Sequence, residues 1–459
     1  MRNKNSITRN VLVILILVLS FSTLFHIIRF RNNSYPPVYN QYEHIYNIQK
    51  LALNNSLNIS VDGVISLFDN YLFVMRLLPL LFGLLSSVLI YYILSKISNN
   101  PIHVLSSSIF IILSPVYIYT HIIYNSVFFP LFLILLGILL ILHDRYILSI
   151  IPFFLCLFIM PKLFFVLIIV LIIFYEKYKS VSMIVPLSGL FIFTYLFVSI
   201  SRTQIMSGLS LMSLLTYYIS DLGVNYGLGI FEMSLAFIGV IISWKWKNEY
   251  AIIYYGLISL IIGSIYDTSL FLFISIILGY YAGLAFSKII ESKWESSTLK
   301  NYVLLLIICG VVFSSGSHIN RLAKQGPSNS ELLSLQWLKK TITPNESVLS
   351  HYEYGSLIKA IANANVYTDI TYYQLSRDRT KIKIANDVFQ SRDLGQVQEF
   401  LEQNKIKYIW INSNMKKGQV WDNQEQGLLF LLHNSVSFKK VFDYQETEIW
   451  IYIPRSNVL

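Results

Sequence analysis

Apolar residues form long, nearly unbroken runs through residues 1–316, then give way after 317 to short groups spaced as in a water-soluble domain. Runs near 11–29, 71–94, 102–120, 122–142, 147–160, 163–175, 183–200, 228–244, 251–265, 269–287 and 301–316 are candidate membrane spans. About 20 apolar residues in a helix cross the hydrocarbon core of a bilayer. The runs 147–160 and 163–175 are short, meet at Met160-Pro161-Lys162, and suit a helical hairpin. Eleven runs is an odd number, which puts the termini on opposite sides.

Two stretches between runs are too long for plain connectors. In residues 31–70, Tyr42, Ile45, Ile48 and Leu51, then Val61, Val64, Ile65 and Phe68, recur near helical spacing and predict two helices lying on the membrane surface. Residues 201–227 form a second amphipathic loop. In the tail, Ser328-Asn329-Ser330 precede a capped helix, SVLSHY reads as a strand turning into the helix SLIKAIAN, and NVYTD as another strand. LGQVQEFLEQN reads as a helix before the buried strand KYIWIN, and FKKVFDYQETEIWIYIP as a hairpin. The expected architecture is a polytopic α-helical membrane bundle of about 11 spans (residues 1–316) with a C-terminal extracytoplasmic α/β domain (residues 317–459).

Composition agrees, with 55% apolar and 13% charged residues against a globular average of about 25% charged. Charge adds orientation. With the N-terminus inside, twelve Lys and Arg of the bundle fall in inner stretches and six elsewhere, the bias expected when basic loops stay cytoplasmic. The net charge of +10 divides into +7 for the bundle and +3 for the tail, so it is mostly topological and carries no nucleic-acid signal. The first run has no convincing small-x-small cleavage site, favouring a retained anchor. Cys156 and Cys309 lie in separate runs, which argues against a disulfide framework.

Five features could carry chemistry. Glu43-His44 in the first outer loop offers a general base or a cation ligand, although the spacing alone favours a solvated helix face. Arg76 and Lys162, at outer ends of spans, suit a lipid phosphate or ordinary headgroups. Arg202 lies in the second loop. Glu232, at the start of a span, either faces a partner or sits in a first helical turn favoured by the helix dipole. His351-Tyr352-Glu353-Tyr354-Gly355 places a carboxylate between aromatic rings at a strand-to-helix turn, with Gly for backbone freedom.

The order of an anchor, an acidic outer loop, Arg76-Leu-Leu-Pro-Leu-Leu-Phe-Gly-Leu-Leu, Ser114-Pro-Val-Tyr-Ile-Tyr, a Pro-Lys between short helices and an α/β tail resembles the GT-C superfamily of membrane glycosyltransferases, protein O-mannosyltransferase-type enzymes among them. The tail resembles oligosaccharyltransferase catalytic subunits, whose Trp-Trp-Asp-Tyr-Gly motif is matched by residues 351–355 with Glu353 at the acidic position and both Trp replaced. The resemblance implies transfer of a sugar from a polyprenyl-phosphate or polyprenyl-diphosphate donor to a protein, glycan or lipid acceptor outside the cytoplasm. It assigns the catalytic carboxylate to Glu43, donor phosphate contacts to Arg76, Lys162 and Arg202, and acceptor contacts to Tyr352, Glu353 and Tyr354. A divalent cation, Mg or Mn, is expected in some members, for which His44 and His121 are the candidate ligands; the outer turn YTHIIYNS offers only His121 and Asn125 where a second acidic motif is expected. A membrane protein that binds, moves or scaffolds lipid-linked glycans without catalysis is the alternative.

Overall fold

The computed structural model describes residues 4–32, 36–39, 41–54, 61–68, 70–163, 166–170, 218–265, 267–370, 372, 380–423 and 425–454. In chain order the helices are α1 Lys4–Asn32, α2 Gln41–Asn54, α3 Val61–Ile65, α4 Tyr71–Ile97, α5 Pro101–Leu113, α6 Pro115–Ile122, α7 Phe128–Leu142 and α8 Tyr146–Ile159. They continue as α9 Ile230–Ser243, α10 Lys247–Ser264, α11 Phe271–Glu291, α12 Ser297–Lys324, α13 Asn329–Thr341, α14 Tyr352–Ala362, α15 Thr380–Gln390, α16 Leu394–Gln403 and α17 Gly427–Asn434. The strands are β1 Ser347–Leu349, β2 Asn365–Val366, β3 Ile406–Ile411, β4 Phe438–Tyr444 and β5 Thr447–Tyr452. The chain divides into two compact units, residues 1–28 with 73–323, and residues 29–72 with 324–459.

The first unit is helical, and several of its helices are strongly apolar. Among the described residues four helices are long and apolar enough to cross a membrane, and a fifth if α5 and α6 count as one. The run expected as one span over 102–120 is instead bent by 63° between α5 and α6. The break falls at Ser114-Pro115, where Pro removes an amide hydrogen bond and drives the preceding residue to extended backbone. Helices α7 and α8 pack against each other, with Gly137 facing the ring of Phe153, and the second arm of the hairpin expected at Pro161 falls mostly outside the described residues. Run 183–200, most of run 163–175 and the loop up to 217 lie outside the described residues.

Small residues set the closest packing. Ser106 Oγ donates to Gly283 O (3.0 Å), Ser107 Oγ to Tyr280 O (3.2 Å), and His103 Nε2 lies 3.2 Å from the same Tyr280 carbonyl. A Cβ on Gly283 would strike the backbone and hydroxyl of Ser107, so α5 and α11 approach at a separation only glycine allows.

The second unit combines residues 29–72 with the tail. Its sheet has order β2-β1-β3-β5-β4. β2, β1 and β3 run parallel, and β5 and β4 add an antiparallel hairpin. The hairpin turns at Gln445 and Glu446, both in left-handed backbone (φ 47° and 69°). The expected capped helix is α13, where Ser328 and Glu331 form a reciprocal capping box. The two expected loop helices are α2, which buries Tyr42, Ile45 and Ile48, and the shorter α3. Arg29 fastens the loop's start, donating to Gln325 O (2.5 Å) and Pro36 O (3.2 Å).

Candidate functional site

In the second unit, α2 packs along α14. Tyr39, just before α2, meets Tyr354 edge-on at 5.1 Å between ring centroids, and Lys359 lies over the ring of Tyr46. The loop carrying Glu43 and the turn carrying Glu353 therefore belong to one body. Since α2 buries Gln41, Tyr42, Ile45 and Ile48, helical geometry puts Glu43 on its opposite face, where Lys50 is exposed.

His44 is held by Asp62, whose carboxylate oxygens lie 2.9 and 3.1 Å from Nδ1. Burial would lower the imidazole, but the Asp62 hydrogen bond and charge, aided by Glu43, leave it raised above its ordinary range. Asp62 lies eighteen residues downstream, a separation at which no sequence pattern marks it as the partner of His44.

The strand-to-helix turn forms because β1 ends at Leu349 and α14 begins at Tyr352 with Glu353 in its first turn. Tyr352 and Glu353 are half-buried. Tyr354 is only 2% exposed, so its ring fills the core and its hydroxyl donates to Gln419 Oε1 at 2.8 Å. The expectation that Tyr354 lines the surface is corrected accordingly: it supports the turn from within. Gly355 is helical, and a Cβ there would strike the Thr368 carbonyl, so close approach and not backbone freedom requires glycine.

Parallel pairing of β1 with β3 brings a second turn to the same sheet end. Residues Met415–Gln419 form an irregular turn kinked at Lys417 and Gly418, the latter in left-handed backbone at φ 105°. Gln419 Nε2 donates to Glu353 Oε2 (2.7 Å) and lies 3.2 Å from His351 Nδ1. Asn412, after β3, donates to Glu331 Oε1 (2.5 Å), whose other oxygen accepts from Tyr39 (3.4 Å). Burial raises Glu331 and Glu353 above the usual carboxylate range, against the hydrogen bonds they accept, and lowers His351 to about 4. Sequence patterns did not single out Gln419 or Asn412, because their roles depend on strand order.

In the first unit, Arg76 lies on α4 and interacts electrostatically with His26, and Lys162 is exposed in the 3-10 turn Pro161–Leu163. Arg202 lies outside the described residues. Glu232 is 3% exposed in the first turn of α9, its Oε1 accepting from Ser275 (3.2 Å), whose hydroxyl also lies 2.8 Å from Ser114 Oγ at the helix break. Asp221 caps α9 by accepting from the Ile230 amide (2.7 Å) and also accepts from Ser314 (2.6 Å). His121 is buried with Nδ1 2.6 Å from the Tyr117 carbonyl, and it belongs to a different unit from His44. Among the described residues no three His, Cys, Asp or Glu gather as a metal site, and a hard cation needs an oxygen-rich set. The residues described do not fit such an ion.

No family model matches the chain, and no curated protein matches it by sequence. Solved structures do match by fold. An oligosaccharyltransferase from Archaeoglobus fulgidus in the apo form aligns at TM-score 0.61 and 10% identity over 88% of this chain and 70% of that one. The Archaeoglobus fulgidus enzyme AglB in complex with an inhibitory peptide and a dolichol-phosphate aligns at 0.53 and 12% over 88% and 69%. The arabinofuranosyltransferase AftD from Mycobacteria aligns at 0.55 and 12% over 99% of this chain and 40% of that one. ArnT from Cupriavidus metallidurans in the apo state aligns at 0.53 and 9%, covering 96% of this chain and 97% of ArnT. At such identities likeness speaks for architecture alone, and by architecture the chain has a divergent GT-C-type fold.

Proposed function

We propose that the chain is a membrane glycosyltransferase that moves a sugar from a polyprenyl-phosphate or polyprenyl-diphosphate donor to an extracytoplasmic protein, glycan or lipid acceptor. The observation that carries this reading is the union of Glu43's helix and the Glu353 turn in one unit of a chain with a GT-C-type fold. The proposed topology has about eleven spans, the N-terminus inside and the tail outside, as the distribution of Lys and Arg favours.

In the proposed reaction Glu43 takes the proton of the acceptor hydroxyl. That oxygen bonds to the anomeric carbon as the bond from this carbon to the phosphate oxygen breaks, and the electron pair leaves with the polyprenyl phosphate. Arg76, Lys162 and Arg202 are assigned to the charge growing on the departing phosphate, where fixed cations stabilise the transition state more than the ground state. Tyr352 and Glu353 are assigned to the acceptor, with Tyr354 behind them. One displacement inverts the anomeric configuration. Because the described residues do not compose a cation site, the reaction is written with the carboxylate alone.

The test is the Glu43→Gln variant in membranes supplied with radiolabelled lipid-linked sugar. Loss of a general base lowers the transfer rate by about 100- to 10,000-fold. Full transfer by this variant overturns the assignment.

A further inference from the structure

Gln419 touches three members of the tail's aromatic turn at once. An ionised carboxylate only accepts, so the amide nitrogen faces Glu353 Oε2 (2.7 Å) and the amide oxygen takes the Tyr354 hydroxyl (2.8 Å). With both amide hydrogens directed outward from Nε2, the ring nitrogen 3.2 Å away, His351 Nδ1, is an acceptor. The imidazole is therefore neutral and carries its proton on Nε2. Burial favours the same state. The titratable side chains lying against the His351 ring are Tyr352 and Tyr354 of α14, and Glu353 shares with it the Gln419 amide nitrogen. Lys416 and Lys417 of the opposing turn are paired with Glu448 (3.1 Å) and Glu446 (2.6 Å).

We propose that Gln419 is a positioning residue: its amide nitrogen holds both His351, as an Nε2–H donor, and the Glu353 carboxylate, as an acceptor, and this pair, with Tyr352, reads adjacent hydroxyls of a carbohydrate acceptor. The inference rests on the acceptor role given to this turn above and narrows the acceptor to one class. A sugar hydroxyl both donates and accepts, so two neighbouring hydroxyls answer a fixed donor next to a fixed acceptor. The rings of His351 and Tyr352, with centroids 4.4 Å apart, add an aromatic surface for the apolar face of a pyranose.

The experiment uses the full-length protein in detergent micelles, labelled with nitrogen-15 at histidine, with methyl α-glucopyranoside and acetyl-Asn-Val-Thr-amide as probes. In the wild type, the imidazole spectrum is expected to show His351 neutral and protonated at Nε2 from about pH 8 to pH 5. In Gln419→Leu, His351 is expected to titrate at least about one unit higher, towards its ordinary 6.5. Saturation transfer to the glucoside is expected to fall about fivefold, the worth of one hydrogen bond, and the peptide to show no transfer in either protein. Gln419→Glu, which keeps the side-chain volume, covers a folding failure of the leucine variant: its glucoside contact is expected to be lost near neutral pH and to return as its new carboxyl is protonated. A wild-type His351 protonated at Nδ1, glucoside contact unchanged in the variants, or peptide binding in place of glucoside would each overturn the proposal. None of these readouts needs a lipid-linked donor, so their failure leaves glycosyl transfer standing, and failure of transfer leaves them standing.

Discussion

His351 shows how one buried side chain couples pH to the fold. Burial holds it at about 4, below its ordinary 6.5, so the folded tail favours the neutral ring. The unfolded chain takes up the proton first as the pH drops. The contribution to stability is thus complete above about pH 6.5 and is lost as pH falls through about 4. Hydrogen exchange of the β3 amides in the full-length protein should accelerate over that window. A His351→Gln variant should lose ~2 kcal/mol less protection across it, since buried Glu331 and Glu353 titrate in both proteins. Equal losses in the two proteins would assign the effect elsewhere. At this scale the sequence marked which residues matter at the turn and misjudged how. Tyr354 reads as an aromatic wall but is core, and Gly355 reads as a flexible joint but is a point of contact with Thr368. Neither property can be seen in a string, because both are defined by residues that arrive from elsewhere in the chain.

Among the elements, those fixed by local chemistry were legible and those fixed by neighbours were not. The capped helix α13, the amphipathic α2 and the β4–β5 hairpin each carry their own signal in caps, spacing or turn residues. Apolar run length, by contrast, cannot report a bend, and the break at Ser114-Pro115 turned one expected span into α5 and α6. Helices α15 and α17 went unread because the apolar residues of α15 are interleaved with polar ones without a clear cap, while α17 is a short continuous apolar run, Leu428 to Leu432, that periodicity alone cannot assign. The α5–α11 contact offers a test of element packing. Gly283→Val should lower the thermal stability of the detergent-solubilised protein by about 1–3 kcal/mol, because α5 has no room to accept the side chain. Gly316→Ala on α12, where nothing lies within 4 Å, should be neutral or stabilising by up to ~1 kcal/mol. Equal effects from both would mean that helix propensity, and not the α5–α11 contact, controls stability.

For the molecule as a whole, the change from long apolar runs to soluble spacing was enough to foresee a helical membrane region and a small sheet-bearing tail. It was not enough to foresee that residues 29–72 cluster with the tail, since that grouping comes from Tyr39, Tyr46 and Arg29 meeting residues some 300 positions away. The same grouping gives Glu43 its place in the proposed chemistry. The most direct test reconstitutes the purified chain in liposomes with a polyprenyl-phosphate sugar radiolabelled in the sugar and a soluble glycan acceptor. Label is expected to leave the lipid phase, to appear on the acceptor with inverted anomeric configuration, and to stay on the lipid when Glu43→Gln replaces the wild type. Label retained on the lipid by the wild-type chain, or product with retained configuration, would contradict the proposed reaction.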